Sequence, residues 1–203
     1  MPPLVHTIPD EIYGLFPFQF RVPTVLAVGN LVPRKGHLHL IRAARWAGIA
    51  GYFWNVVIIG EGPLHGDIYS EWDEDPQFRL QIKPRIPEKE LHELYDACDV
   101  VCIPSVTDSC GLKEGLGLVA LEALAHHKPV VGFSNGGLLS IVSEGVGVLV
   151  SEGDEVALAQ GIVRMLSFGV EPADCDRVVE RFSWNGIRRD MAAMFDGVGF
   201  LEA

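Results

Sequence analysis

Cysteine is scarce in this chain, and basic residues are outnumbered. The four cysteines, Cys98, Cys102, Cys110 and Cys175, include no Cys-x-x-Cys pair. Cys98 and Cys102 flank an apolar stretch and read as small buried hydrophobes. Lys and Arg number 16 against 27 Asp and Glu, for a net charge of −11. An acidic chain repels a phosphate backbone, which argues against nucleic acid as a partner. A small phosphorylated ligand stays open, because a local cation can dominate a pocket. No apolar run approaches the roughly 18 residues that span a bilayer. Met1-Pro2-Pro3 places no basic region before an apolar run, so no signal peptide is read. The expectation is a cytoplasmic protein without a transmembrane segment, at most peripheral to a membrane through a partner. The Walker spacing Gly-x4-Gly-Lys-Ser/Thr is missing, and so is Gly-x-Gly-x-x-Gly after the first strand, which argues against a nicotinamide cofactor. Serine-nucleophile chemistry is not expected. The histidine pairs His37/His39 and His126/His127 have no carboxylate or cysteine at ligand spacing in the sequence, so no metal is expected.

What is present is an alternation. Of 203 residues, 48% are hydrophobic and 21% charged, enough apolar material for one ordinary domain. Strands are predicted at Thr24–Val28, Asn55–Ile59, Phe78–Ile82, Asp99–Ile103, Pro129–Phe133 and Gly147–Val150. Helices are predicted at His37–Ile49, Leu64–Trp72, Glu88–Ala97, Leu118–His126, Glu155–Ser167, Cys175–Phe182 and Trp184–Phe195. Continuous apolar strands joined by amphipathic helices imply an α/β fold: a doubly wound, mostly parallel, Rossmann-like sheet with helices on both faces. Residues 1–23 fall outside the alternation and read as a linker-like segment, and 24–203 as the domain. Ligands in such folds bind beyond the carboxyl ends of the strands. Chemistry is therefore expected in the loops after Val28, Ile59, Ile103 and Phe133.

Four such loops carry candidates. Gly29-Asn30-Leu31-Val32-Pro33-Arg34-Lys35-Gly36 ends in two cations at an expected helix start. Free N–H groups and the dipole already favour an anion there. A diphosphate would explain the extra cations; a solvated basic turn would also fit. Gly60-Glu61-Gly62-Pro63 permits close approach of a ligand to backbone. In Glu114-Gly115-Leu116-Gly117-Leu118-Val119-Ala120-Leu121-Glu122, two carboxylates stand eight positions apart. On one helix they would be about 12 Å apart and rotated by roughly 80°. The glycines favour instead Glu114 in the loop and Glu122 in the helix. Such a pair can hold two polyhydroxylated groups separated by a pyrophosphate; two surface glutamates are the alternative. Asn135-Gly136-Gly137-Leu138 offers backbone N–H groups to an anion, or is a plain turn.

Taken together and in order, these stretches resemble the C-terminal domain of glycosyltransferase family 4, of GT-B architecture. The resemblance covers 24–196 and rests on VLAVGNLVPRKG, VVIIGEGP, LHELYDACDVVCIPS, EGLGLVALEALA, PVVGFSNGGL and RFSWNGI. It implies transfer of a hexose from a nucleoside-diphosphate sugar to a saccharide or lipid-linked acceptor, with retained configuration and no bound metal or cofactor. By the resemblance, Lys35 grips the diphosphate, Glu114 faces the donor sugar and Glu122 bonds the ribose. Gly115, Leu116, Gly117 and Leu118 lie against sugar and phosphate, Arg85-Ile86 meet the base, and Gly60 lines the pocket. Lys35 and Glu114 are the candidate catalytic residues. The family often has arginine at Asn30, with Arg34 as a candidate replacement, glycine at His127 and glutamate at Ser140. Val5-His6-Thr7-Ile8-Pro9-Asp10 resembles the interdomain linker, so an N-terminal acceptor domain is expected in another chain or segment. The rival readings are a truncated, non-catalytic nucleotide-sugar-binding or regulatory module, and an epimerase or phosphorylase on the same architecture.

Overall fold

A computed structural model of the protein describes residues 22–72, 79–143 and 145–196. The expected linker, apart from its last two residues, and Phe78 of the third expected strand lie outside the described residues. Six strands form one sheet: β1 (Thr24–Val28), β2 (Asn55–Ile59), β3 (Leu80–Lys83), β4 (Val100–Ile103), β5 (Val130–Phe133) and β6 (Gly147–Val150). Their spatial order is β3-β2-β1-β4-β5-β6, and every pairing is parallel. Sequence alternation of apolar strand and amphipathic helix thus gives the doubly wound sheet expected.

The helices are α1 (His37–Ile49), α2 (His65–Glu71), α3 (Glu88–Ala97), α4 (Leu118–Ala125), α5 (Leu138–Ile141), α6 (Glu155–Phe168), α7 (Pro172–Arg181) and α8 (Trp184–Asp196). Two apolar layers show why both faces are covered. Leu26, Val57, Val101 and Val130 point to the side of α3, α4 and α7, packing with Leu94, Ala123 and Cys175. Their chain neighbours Val25, Val56, Val100 and Val131 point the other way, against Leu40, Ile41, Leu158 and Ile162 of α1 and α6. That period of two on strands buried from both sides leaves no polar face, so the strands read as continuous apolar runs.

Local chemistry sets the helix ends. Asp154 caps α6, its carboxylate accepting from Ala157 N–H at 2.9 Å. The seventh helix starts at Pro172, three residues before its expected start. Proline costs nothing there, because a first-turn N–H has no intrahelical partner. The loop after β1 ends at Gly36, and α1 begins at His37 as expected. Arg34 and Lys35 do not open α1; they lie in a one-turn 3-10 helix, Pro33–Lys35, closed by Gly36 at φ 66°. Gly36 is at the same time the N-cap of α1, so the two cations stand just before that helix start.

Candidate functional site

The strand order reverses between β1 and β4. In folds of this class the ligand crevice lies at such a reversal, beyond the carboxyl end of the sheet. The β1 loop brings Lys35, and the β4 loop brings Ser105 and Glu114. Lys35 Nζ donates to Glu114 Oε2 at 2.7 Å, and Ser105 Oγ donates to the same oxygen at 2.7 Å. Lys35 and Glu114 are 20% and 10% exposed in their side chains, and Ser105 is buried, so the pair faces the crevice from a supported position.

Backbone bonds stitch the two loops. Val106 N–H donates to Arg34 O at 2.8 Å, and Arg34 Nη1 donates to Lys113 O at 3.3 Å. Gly36 is required where they cross: a Cβ there would lie 1.8 Å from Pro104 O. Gly60 sits equally close to the β1 loop, its absent Cβ falling 2.0 Å from Gly29 O. On the far side, Asn135 Oδ1 accepts from Glu114 N–H at 2.8 Å, and Gly137 N–H donates to Glu114 O at 3.1 Å. The β5 loop therefore braces the Glu114 backbone with one side chain and one N–H, while Leu138 N–H closes a turn onto Asn135 O at 3.3 Å.

Burial pushes the Glu114 carboxyl up, but the bonds from Lys35 and Ser105 and the charges of Lys35 and Arg34 outweigh it. The group is held below the ordinary carboxylate range and is an anion at neutral pH. Glu122 lies inside α4, as the glycines suggested. Tyr95 OH, on α3, donates to Glu122 Oε2 at 2.7 Å. Burial first, and this bond second, raise the Tyr95 hydroxyl, so it stays a donor. The loop between the glutamates is open: Leu116 is 72% and Leu118 59% exposed, with Gly115 exposed beside them. Asn30 and Arg85 are exposed at the ends of β1 and β3, and Ile86 packs against the layer that holds Tyr95 and α4.

Several residues of this arrangement carried no sequence signal of their own. Ser105 simply follows a strand. Tyr95 reads as a helix-face apolar residue, and Glu152 as part of a turn. Three of the four histidines in the His37/His39 and His126/His127 pairs do have carboxylate partners, but from distant segments: His39 with Glu155 at 2.8 Å, His126 with Asp96 at 2.5 Å and His127 with Asp176 at 2.9 Å. Among the described residues, no group of three or more His, Cys, Asp or Glu is arranged to hold a metal ion. Gly132-Phe133-Ser134-Asn135-Gly136 does have the Gly-x-Ser-x-Gly spacing of a nucleophile elbow. An elbow strains its serine into a sharp turn. Among the described non-glycine residues only His127 has positive φ, so Ser134 is not in that conformation.

The sequence profile of the glycosyl transferases group 1 family matches residues 18–180. The chain is 32% identical to an uncharacterized glycosyltransferase of Methanocaldococcus jannaschii, covering 84% of this chain and 44% of that protein. It is 36% identical to a D-inositol 3-phosphate glycosyltransferase of Corynebacterium urealyticum, over 56% of this chain and 26% of that one. It thus spans less than half the length of these curated relatives. Among solved structures, HepE of Anabaena in complex with UDP superposes with a TM-score of 0.70 at 23% identity, covering 94% of this chain and 54% of that one. Sucrose-phosphate synthase of Thermosynechococcus elongatus gives 0.68 at 24%, covering 96% and 50%. These likenesses agree with the α/β parallel-sheet fold. No described helix is long and apolar enough to cross a membrane. With the profile matching most of its length, the chain belongs to the glycosyl transferases group 1 family.

Proposed function

We propose that this chain is the donor-binding, C-terminal half of a retaining family 4 hexosyltransferase with GT-B architecture. Its donor is a nucleoside-diphosphate sugar, and its acceptor is a saccharide or a lipid-linked glycan in polysaccharide biosynthesis. The observation that carries this reading is the Lys35–Glu114 pair, 2.7 Å apart, at the crevice where the strand order reverses. An ammonium has three donors and a carboxylate about four acceptor positions. Lys35 spends one proton on Glu114 and keeps two for a diphosphate. Glu114 accepts from Lys35 and Ser105 and keeps lone pairs for sugar hydroxyls. Glu122 is set to accept from the ribose, with Gly60, Arg85 and Ile86 around the base.

In this reading the diphosphate leaves on the face that the acceptor hydroxyl attacks. The new bond forms between the acceptor oxygen and the anomeric carbon as the bond to the phosphate oxygen breaks. The acceptor proton passes to the departing phosphate. Lys35 offsets the charge growing on that phosphate, and Glu114 orients the sugar. Asn30, Arg34 and the backbone of Gly115, Leu116, Gly117 and Leu118 complete the donor side. No metal or cofactor enters the scheme. The acceptor side comes from a further domain, in the same chain or in trans, and catalysis takes place in the cytoplasm.

Calorimetry of the 203-residue chain against uridine, guanosine and adenosine diphosphates and their glucose and mannose esters tests the reading. One base should bind weakly. Lys35→Ala should weaken that binding by about 1.5–3 kcal/mol, the scale of a charge-assisted hydrogen bond. Glu122→Gln, which keeps an oxygen for Tyr95, should cost a similar amount. Silence across the panel at millimolar concentration would sink the proposal.

A further inference from the structure

We propose that Glu152, in the turn after β6, is a positioning residue that fixes the Asn135 amide and through it the aim of Glu114. The inference rests on the reading of Glu114 as the donor-sugar contact. Asn135 is 1% exposed, and its amide stands between two different demands. On one side the Glu114 N–H can only donate, and it meets Asn135 Oδ1 at 2.8 Å. On the other side the Glu152 carboxylate can only accept, and it takes Asn135 Nδ2 at 2.7 Å. Thr107 completes the set. Its N–H donates to Glu152 Oε1 at 2.6 Å and its hydroxyl donates to Oε2 at 2.9 Å. That hydroxyl also accepts from Asn135 Nδ2 at 3.1 Å.

Every donor in this cluster meets an acceptor in one amide orientation only. Turning the amide over would set its NH2 against the Glu114 N–H and its oxygen against the Glu152 carboxylate. Both contacts would be repulsive, and the Asn135 amide is itself buried, where an unmade bond is expensive. Glu152 thus reaches Glu114 without touching it, by dictating which end of Asn135 faces the β4 loop. The three loops after β4, β5 and β6 meet in this cluster. The Thr107 N–H foremost holds the Glu152 carboxyl below its ordinary range; burial opposes it, and the Asn135 and Thr107 side chains add to the lowering. It therefore remains an acceptor through neutral pH.

Glu152→Gln is the test, because it keeps shape and removes the acceptor-only character. Glu152 is exposed, so folding should survive the change. Two readouts are taken. Without ligand, amide exchange at Glu114 should quicken by roughly tenfold or more in Glu152→Gln and Glu152→Ala, while exchange in β4 and β5 stays as in the native chain. With ligand, affinity for the nucleotide sugar that the native chain binds should fall roughly tenfold, while affinity for its nucleoside diphosphate stays within about twofold. A merely structural role would move both affinities together. Unchanged exchange at Glu114, or equal losses for diphosphate and nucleotide sugar, would overturn the proposal. If the native chain binds nothing in the panel, the reading of the site fails, and the exchange at Glu114 alone still decides the clamp.

Discussion

His37 opens α1 with its ring 2% exposed and Nε2 3.2 Å from Gly29 O. Burial pushes its imidazole down from 6.5 to about 4, against the pull of the Gly29 and Asn30 carbonyls. The unfolded chain takes up a proton first as pH falls below 6.5, so folded stability drops from there until the folded ring is protonated near pH 4. That gap corresponds to about 3 kcal/mol at pH 4. Urea midpoints measured from pH 8 to 4 should fall below 6.5, and His37→Gln should flatten that limb. An equal slope in both proteins would contradict the assignment. A separate loss is due below about 4.5, where Glu71, Glu114 and Glu152, all held below that value when folded, take up protons first in the unfolded chain. His127 shows another residue-scale effect. It sits at φ 54°, where the resembled family has glycine. His127→Gly should be neutral or stabilising by up to about 1 kcal/mol in thermal unfolding at pH 8, with relief of backbone strain set against the lost Asp176 contact. A loss above about 1 kcal/mol would show that the contact outweighs the strain. Lys35 and Glu114 stood out as charges in glycine-bearing loops and Glu122 by its spacing from Glu114, and the family resemblance tied the three into one candidate site. Ser105 and Glu152 were not, and Asn135 was seen only as part of its loop, because their side-chain partners come from segments that only the fold brings together.

At the scale of elements, the site depends on how closely loops can cross. Gly36 combines φ 66° with a missing Cβ that would meet Pro104 O at 1.8 Å. Gly153 has φ 81° and open space around the same position. Gly36→Ala should therefore cost at least about 2 kcal/mol, and Gly153→Ala only about 1 kcal/mol, the price of the backbone angle alone. Equal urea midpoints for the two variants would show that the crossing of the β1 and β4 loops tolerates more than the geometry allows. Strands and long helices were legible in the sequence to within a few residues, because apolar period and burial are the same fact seen twice. The 3-10 turn at Pro33–Lys35 was not. Three residues are too few for an apolar period to register.

At the scale of the molecule, the order β3-β2-β1-β4-β5-β6 puts the two loops with opposite charge at one crevice. Order cannot be read from a single chain of alternating elements; only the fold class and the carboxyl-end location could be. The central claim is that a nucleotide sugar sits in that crevice, held by Lys35, Glu114 and Glu122. The most direct test is amide NMR of the chain titrated with the nucleotide sugars of the panel. The account predicts shifts confined to Gly29–Gly36, Gly60, Arg85–Ile86, Ser105–Leu118 and Asn135–Leu138, with neighbours of Glu122 in α4, and their loss in Lys35→Ala. Shifts instead around the hollow of about 560 Å³ lined by Val142, Leu149 and Phe168, near the start of β6, would contradict it.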